Sequence, residues 1–177
     1  MLCFGVPMNI QALEVRQQLY ELIQRFPGMH FREIQRRSGL AIGTLQYHMK
    51  QLIEDGLITG VKDGEYVRFY PVGAVTETDK FLLQFLRQTP IRRMLVLLLE
   101  KKRANHKQLT SASGVSPATT SWYLGKLLDA KIVVKKRAGR EVFYSIAKPR
   151  EVMRTMLTYK ESFLDKVVER FIEIWEK

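Results

Sequence analysis

Apolar positions recur at helical spacing early in the chain. Between Gln11 and Arg25 they fall at Leu13, Leu19, Tyr20, Leu22 and Ile23, with Phe26 just beyond, close to the 3.6-residue period of an amphipathic helix. Pro27-Gly28 ends that segment. Phe31 to Arg37 reads as a short second helix closed by Ser38-Gly39. Ile42 to Glu54 reads as a third, with Leu45, Met49, Leu52 and Ile53 as its apolar stripe and Gly56 as its stop. Alternation then takes over. Leu57–Val61 and Tyr66–Tyr70 read as two strands, and Asp63-Gly64 between them is a hairpin signal, because both residue types tolerate positive φ.

The same order returns downstream. Pro90 suits the first turn of a helix reaching about Lys102; a short helix follows from about His106 to Ala112. Ser116-Pro117 supplies an N-cap and a first-turn proline for a helix to Ala130. Strands are expected at Ile132–Arg137 and Glu141–Ile146, turned at Ala138-Gly139. The match is position by position. Ser38-Gly39-Leu40 returns as Ser113-Gly114-Val115, Tyr47 as Trp122, Leu52-Ile53 as Leu127-Leu128, and Gly64 as Gly139. A slip of one residue then aligns Phe69-Tyr70 with Phe143-Tyr144. Internal repetition of this kind marks one supersecondary unit used twice. Glu77 to Gln88 is a linker helix, with Phe81, Leu82, Phe85 and Leu86 on one side, and Pro149 opens a last helix to about Trp175.

Charge separates the two copies. Residues 1–76 hold 8 Lys/Arg against 7 Asp/Glu, residues 77–148 hold 15 against 5, and residues 149–177 hold 6 against 6. Almost the whole net charge of +11 therefore sits in the second copy, and a concentrated positive field attracts polyanions. The hydrophobic fraction of 46% over 177 residues supports real cores. The longest apolar run, Met94–Leu99, is far too short for a bilayer, and Met1–Ile10 carries no basic residue, a poor signal peptide. Cys3 is the only cysteine, so no intramolecular disulfide forms. A cytoplasmic, nucleoid-associated protein is expected.

The run Ser38-Gly39-Leu40-Ala41-Ile42-Gly43-Thr44-Leu45-Gln46-Tyr47-His48-Met49-Lys50-Gln51-Leu52, followed by Asp55-Gly56-Leu57-Ile58, resembles the winged helix-turn-helix of prokaryotic regulators. It is most similar to the ArsR- and MarR-like forms common in archaea. Copy one departs from that pattern in having Ala41 where a capping Ser or Thr is usual; copy two has Lys131 where copy one has Gly56. The resemblance implies an α+β, mainly helical fold of two tandem winged helix-turn-helix domains, each with a two-stranded wing. They are expected at 9–74 and 90–148, with a linker helix at 75–89 and a C-terminal helix at 149–177. It implies sequence-specific binding of double-stranded DNA and regulation of transcription.

In such a motif the second helix enters the major groove and the first braces it. The outer face of the third helix of copy one carries Gly43, Gln46, Tyr47 and Lys50, with Thr44 at its edge. Gln46 matches an adenine edge, and Lys50 a guanine or a phosphate. Arg36 and Arg37 suit phosphates. The matching face in copy two is smaller: Ala118, Ser121, Trp122 and Gly125, flanked by Thr119 and Lys126. Its wing is richer in charge, with Lys135, Lys136, Arg137 and Arg140 against Lys62 and Arg68 in copy one. Lys101, Lys102, Arg103 and Lys107 add a basic connection between helices. Copy two is thus expected to supply most phosphate affinity and copy one more of the sequence reading. Tyr47 and Trp122 either stack on bases or pack against their own wings.

The last helix carries more apolar residues than one stripe needs. Met156, Phe163, Val167, Phe171, Ile174 and Trp175 are the expected homodimer contacts. His30, His48, His106 and Cys3 lack metal-ligand spacing. No phosphate loop, GxSxG or HExxH sequence occurs, so neither cofactor nor enzymatic activity is expected. Two alternatives stand beside the regulator. One is a basal transcription or chromosome-organising factor with one winged domain docked on protein, such as the transcription machinery. The other is an RNA-binding protein.

Overall fold

The computed structural model describes residues 10–163, and side chains from Leu13 to Ser162. The chain divides into two units between Lys80 and Phe81. In the first, α1 (Ile10–Arg25), β1 (Met29–His30), α2 (Phe31–Ser38), α3 (Ile42–Glu54), β2 (Ile58–Asp63) and β3 (Tyr66–Pro71) follow in order. The helix α4 (Glu77–Leu86) spans the division. The second unit contains α5 (Thr89–Lys101), β4 (Ala104–Asn105), α6 (His106–Ser113), α7 (Pro117–Asp129), β5 (Val133–Ala138), β6 (Glu141–Ile146) and α8 (Pro149–Thr158), then a short 3-10 turn at Lys160–Phe163. The fold is mainly helical with small antiparallel sheets, as the resemblance implies.

Each sheet has three strands, in the orders β1-β3-β2 and β4-β6-β5. The two-stranded wings expected from sequence gain a third strand of two residues, Met29–His30 or Ala104–Asn105. A strand that short carries no period to read; it forms because Phe69 and Tyr144 offer pairing edges to Met29 and Ala104.

The registers remove the one-residue slip. Ile58 pairs with Pro71 and Val133 with Ile146; Met29 pairs with Phe69 and Ala104 with Tyr144. Every pair in one sheet maps on the other with a shift of 75 positions. The hairpins are equal in length, and Phe69 corresponds to Tyr144, not Phe143. The turns are also one residue further on than expected. The strands pair up to Asp63↔Tyr66 and Ala138↔Glu141, so Gly64-Glu65 and Gly139-Arg140 make the loops. Gly64 and Gly139, at φ 60° and 62°, hold the first loop position, the place where a two-residue hairpin of the II′ kind requires glycine.

The first unit closes on Leu19 and Ile23 of α1, Ile34 of α2, Leu45, Met49 and Leu52 of α3, and Ile58 and Phe69 of the sheet. Ile53, expected in the same stripe, is instead exposed. In the second unit, Ile91, Met94, Leu95 and Leu98 of α5, Leu109 of α6, Leu124 and Leu127 of α7, and Val133 and Ile146 of the sheet are buried. Gly39 and Gly114, at φ 68° and 72°, form the left-handed turns that end α2 and α6. The missing cap at Ala41 is real: α3 starts without a side-chain hydrogen bond, whereas Ser116 caps α7 by accepting from the Thr119 N–H.

Two lysines of the second unit stand in backbone conformations that favour glycine. Lys102 has φ 64° and Lys131 φ 56°. Lys131 occupies the position of Gly56, whose φ is 69°. A side chain there costs about 1–2 kcal/mol. A cation at an exposed helix C-terminus recovers only about 0.3–1 kcal/mol, so helix electrostatics alone do not account for either residue.

The last helix is shorter than expected. α8 ends at Thr158, and Val152, Thr155 and Met156 are buried within the chain's own structure. Met156 is therefore a core residue, which corrects its assignment to a dimer contact. The Phe163 side chain and Val167, Phe171, Ile174 and Trp175 lie outside the described residues.

Candidate nucleic-acid interface

In the first unit the burial of Leu45, Met49 and Leu52 turns the other side of α3 outward. Gly43, Thr44, Gln46, Tyr47 and Lys50 are all exposed. Tyr47 is 56% exposed and meets the His48 ring edge-on, with centroids 5.1 Å apart. It does not pack away against its wing. Lys50 lies 3.6 Å from Glu54 in an exposed pair, an arrangement that leaves its ammonium available to a stronger anion. His48 is turned inward and is 4% exposed. Burial, and then the Arg16 charge, hold its pKa below the usual 6.5.

Among the cations of this unit, Arg36 and Lys62 are exposed. Arg37 pairs with Glu33 at 3.8 Å and lies over the Phe26 ring at 4.3 Å. Arg68 does not fit its expected role. It is 8% exposed, its Nε donates to the Asp63 carboxylate, and its Nη1 donates to the Gly28 carbonyl at 3.0 Å. The third strand accompanies the burial: Arg68 pairs directly with His30, in a strand the sequence pattern did not reveal. Arg68 therefore braces the wing from inside. Lys62 is left between Val61 and Asp63, with Glu65 at the turn, and the tip is close to neutral.

The second unit shows the reverse balance. Lys135, Lys136, Arg137 and Arg140 are all exposed on one hairpin. Strand period places Lys135 and Arg137 on one face and Lys136 on the other. Arg137 makes only a backbone contact, its Nε donating to the Gly139 carbonyl at 3.2 Å.

On α7, Trp122 is 56% exposed and Lys126 Nζ sits 3.9 Å from its ring centroid. Thr119 is engaged in the cap, its hydroxyl 2.9 Å from that of Ser116. Ser121 donates to the Pro117 carbonyl at 3.0 Å and lies 2.9 Å from His106 Nε2. His106 thus ties α6 to the outward face of α7, a contact 15 positions apart in sequence with no periodic signal. Lys107, its neighbour, is exposed.

Sequence reasoning also missed a groove of about 420 Å³ in the first unit. Phe31, Met49, Ile53 and Phe69 line it, with Gln46 and Lys50 at its edge. Exposure of Ile53 is what opens it, and only the three-dimensional packing reveals that exposure. Among the described residues no group of three or more His, Cys, Asp or Glu side chains is placed to hold a metal ion. No described helix is long and apolar enough to cross a membrane.

Comparison with known proteins agrees with this geometry. A family described as an N-terminal HTH domain matches residues 13–83. A second, described as winged helix-turn-helix DNA-binding, matches residues 87–134. An uncharacterized HTH-type transcriptional regulator of Methanocaldococcus jannaschii is 26% identical over 133 residues, 75% of this chain and 33% of that protein. The chain thus spans about a third of that relative's length. An uncharacterized protein of Archaeoglobus fulgidus is 33% identical over 54 residues, 30% of this chain and 73% of that one. Among solved structures, the transcriptional repressor BigR of Xylella fastidiosa aligns with a TM-score of 0.41 and 22% identity, covering 46% of this chain and 82% of that one. The two domain matches and the Methanocaldococcus jannaschii relative point to a transcriptional regulator rather than to an enzyme.

Proposed function

We propose, from two helix-turn-helix domain matches in tandem, that this chain is a transcriptional regulator that binds double-stranded DNA sequence-specifically. The single observation that carries the proposal is the second wing: four exposed cations on one hairpin, in the same unit as the outward face of α7. Lys135, Lys136, Arg137, Arg140 and Lys107 hold phosphates. Trp122, Ser121, Thr119 and Lys126 approach the bases. In the first unit, Gln46, Tyr47, Lys50, Thr44 and Gly43 read a groove while Arg36, Arg37 and Lys62 touch the backbone. Arg68 is withdrawn from this set, because its donors are already committed inside the unit.

Selection of duplexes from a random pool tests the reading. Expected is an affinity for the selected duplex about 10³-fold or more above that for scrambled DNA at physiological salt. A ratio near one overturns sequence-specific binding. Neutralising the four wing residues to alanine weakens binding to every duplex and flattens its salt dependence, since each lost phosphate contact removes about 0.9 from the logarithmic slope. Unchanged affinity and slope in that variant remove the wing from the interface.

A second reading concerns the first unit. Its tip is near neutral, Val61, Tyr66 and Val67 are exposed on it, and the Phe31–Ile53 groove is apolar. These features favour a unit that docks on protein while the second unit holds DNA, as in a basal or chromosome-organising factor. Alanine at Gln46 and Lys50 separates the readings. Loss of sequence preference assigns α3 to DNA, and retained preference assigns the unit to protein.

A two-fold assembly completes the proposal, because paired half-sites match a symmetric protein. The segment after Phe163 supplies its contacts. Truncation after Phe163 keeps the buried Val152 and Met156 and is expected to give monomers by light scattering; a truncated chain that stays dimeric places the interface elsewhere.

A further inference from the structure

The second unit carries a second basic surface, at the end of its sheet opposite the wing turn. The register fixes the place. β5 and β6 turn at Gly139-Arg140 and meet at their far ends through Val133↔Ile146, and the Ala147 N–H donates to the Ile132 carbonyl one step further on at 2.9 Å. Lys131 and Lys148 adjoin that last pair. On the other flank, β4 enters through Ala104↔Tyr144, so Lys101, Lys102 and Arg103 precede it at the same end. Strands lie about 4.8 Å apart, which puts the two flanks about 10 Å from one another. The wing turn stands about 17 Å away along the strands.

All five cations are exposed. Arg103 covers the Phe143 ring at 5.1 Å, and Lys148 pairs with Glu151 at 3.0 Å across an exposed contact. Glu100 and Asp129 are the other acidic residues nearby in sequence, both exposed. The first unit supplies a control at Lys131, whose place is taken by Gly56 at φ 69°. In place of Lys102 and Arg103 it has Pro27 and Gly28, and there the positive φ falls on Gly28, because proline holds φ near about −65°. The second unit carries cations at all three positions. Two of those cations, Lys102 and Lys131, sit at positive φ, a conformation that disfavours any side chain. Strain of this kind persists at functional positions.

We infer that this base surface binds the phosphate backbone of a second duplex segment, distinct from the one held by the wing and α7. Four of the five are lysine ammoniums, point charges that suit phosphates and carry no base preference. The inference rests on the duplex-binding reading above.

Lys102→Gly/Lys131→Gly in the full chain is the test, because glycine removes the charge while relieving the backbone. A biotinylated duplex captures the protein, and a second, fluorescent duplex is then offered. The wild-type chain is expected to retain the second duplex. The double variant is expected to unfold about 4–8 °C higher, to bind the first duplex within about twofold of wild type, and to lose at least about tenfold of second-duplex capture, as removal of phosphate contacts requires. Undiminished capture by the variant overturns the inference. So does a wild-type chain that binds one duplex and never two. A wild-type chain that binds polyglutamate of matched charge but no second duplex gives the surface to an acidic protein instead. A chain that binds no duplex at all overturns the regulator reading as well.

Discussion

The Arg68 guanidinium donates to two acceptors of its own unit, the Asp63 carboxylate and the Gly28 carbonyl. Replacing it with alanine leaves a half-buried carboxylate and a buried carbonyl without their donors. Charge-assisted hydrogen bonds contribute about 1.5–3 kcal/mol, so Arg68→Ala should lower the stability of the first unit by about that much in urea titration. Its DNA affinity should keep the wild-type salt slope; a flattened slope returns Arg68 to the interface. His48 makes a pH prediction. Its folded pKa is depressed, chiefly by burial and then by Arg16, so the unfolded chain binds the proton more tightly. Stability is full above the ordinary value of 6.5 and is lost as pH falls below it. The unfolding midpoint of the first unit should drop between about pH 7 and about pH 5, and His48→Gln should flatten that drop. An equally steep drop in the variant assigns it to other groups. Both residues were visible in the sequence as charged or titratable, and neither direction was. Arg68 faces a third strand two residues long, and His48 lies one position from the exposed Tyr47, where a helix face turns inward.

At the scale of elements, the pattern located the eight α-helices seen among the described residues and both hairpins, because each buries a stripe or alternates. Boundaries came out where a chemical stop exists: Gly39, Gly114, and Pro117 after its Ser116 cap. Errors came where no such stop exists. The apolar run after Pro149 reads as one helix, yet α8 ends at Thr158 with a 3-10 turn following. The aromatic pair Phe143-Tyr144 imitates Phe69-Tyr70, and that likeness of side chains suggested a slip the backbone pairing does not contain. In the structure Phe143 stands where Arg68 stands in the first wing. There Arg103 covers the ring, so a cation over an aromatic replaces a cation paired with a carboxylate. Of the candidate site, the outward faces of α3 and α7 were legible, since a helix that buries one stripe must expose the other. The tie from His106 to Ser121 was not, because it joins two helices across a turn. His106→Ala is expected to loosen that tie and weaken duplex binding by about threefold to tenfold, on the scale of one hydrogen bond at about 0.5–1.5 kcal/mol. Isothermal titration with the selected duplex measures it, and an unchanged affinity leaves His106 outside the interface.

For the whole molecule, one architecture has been used twice with different surface charge. Fifteen cations against five acids lie between residues 77 and 148, and the first 76 residues are nearly balanced. The backbone registers are the same in both sheets, so the asymmetry belongs to side chains and not to the fold. Such an arrangement suits a protein whose second unit supplies affinity for a polyanion and whose first unit supplies discrimination. The central claim is that the outer sides of α3 and α7 meet the duplex. Amide chemical-shift mapping of the full chain, titrated with the duplex selected from a random pool, tests it most directly. The expected result is a set of shifted amides concentrated in Ile42–Glu54, Pro117–Asp129 and the Lys135–Arg140 turn. Shifts that bypass both helices and gather instead on α1 and α5 contradict it.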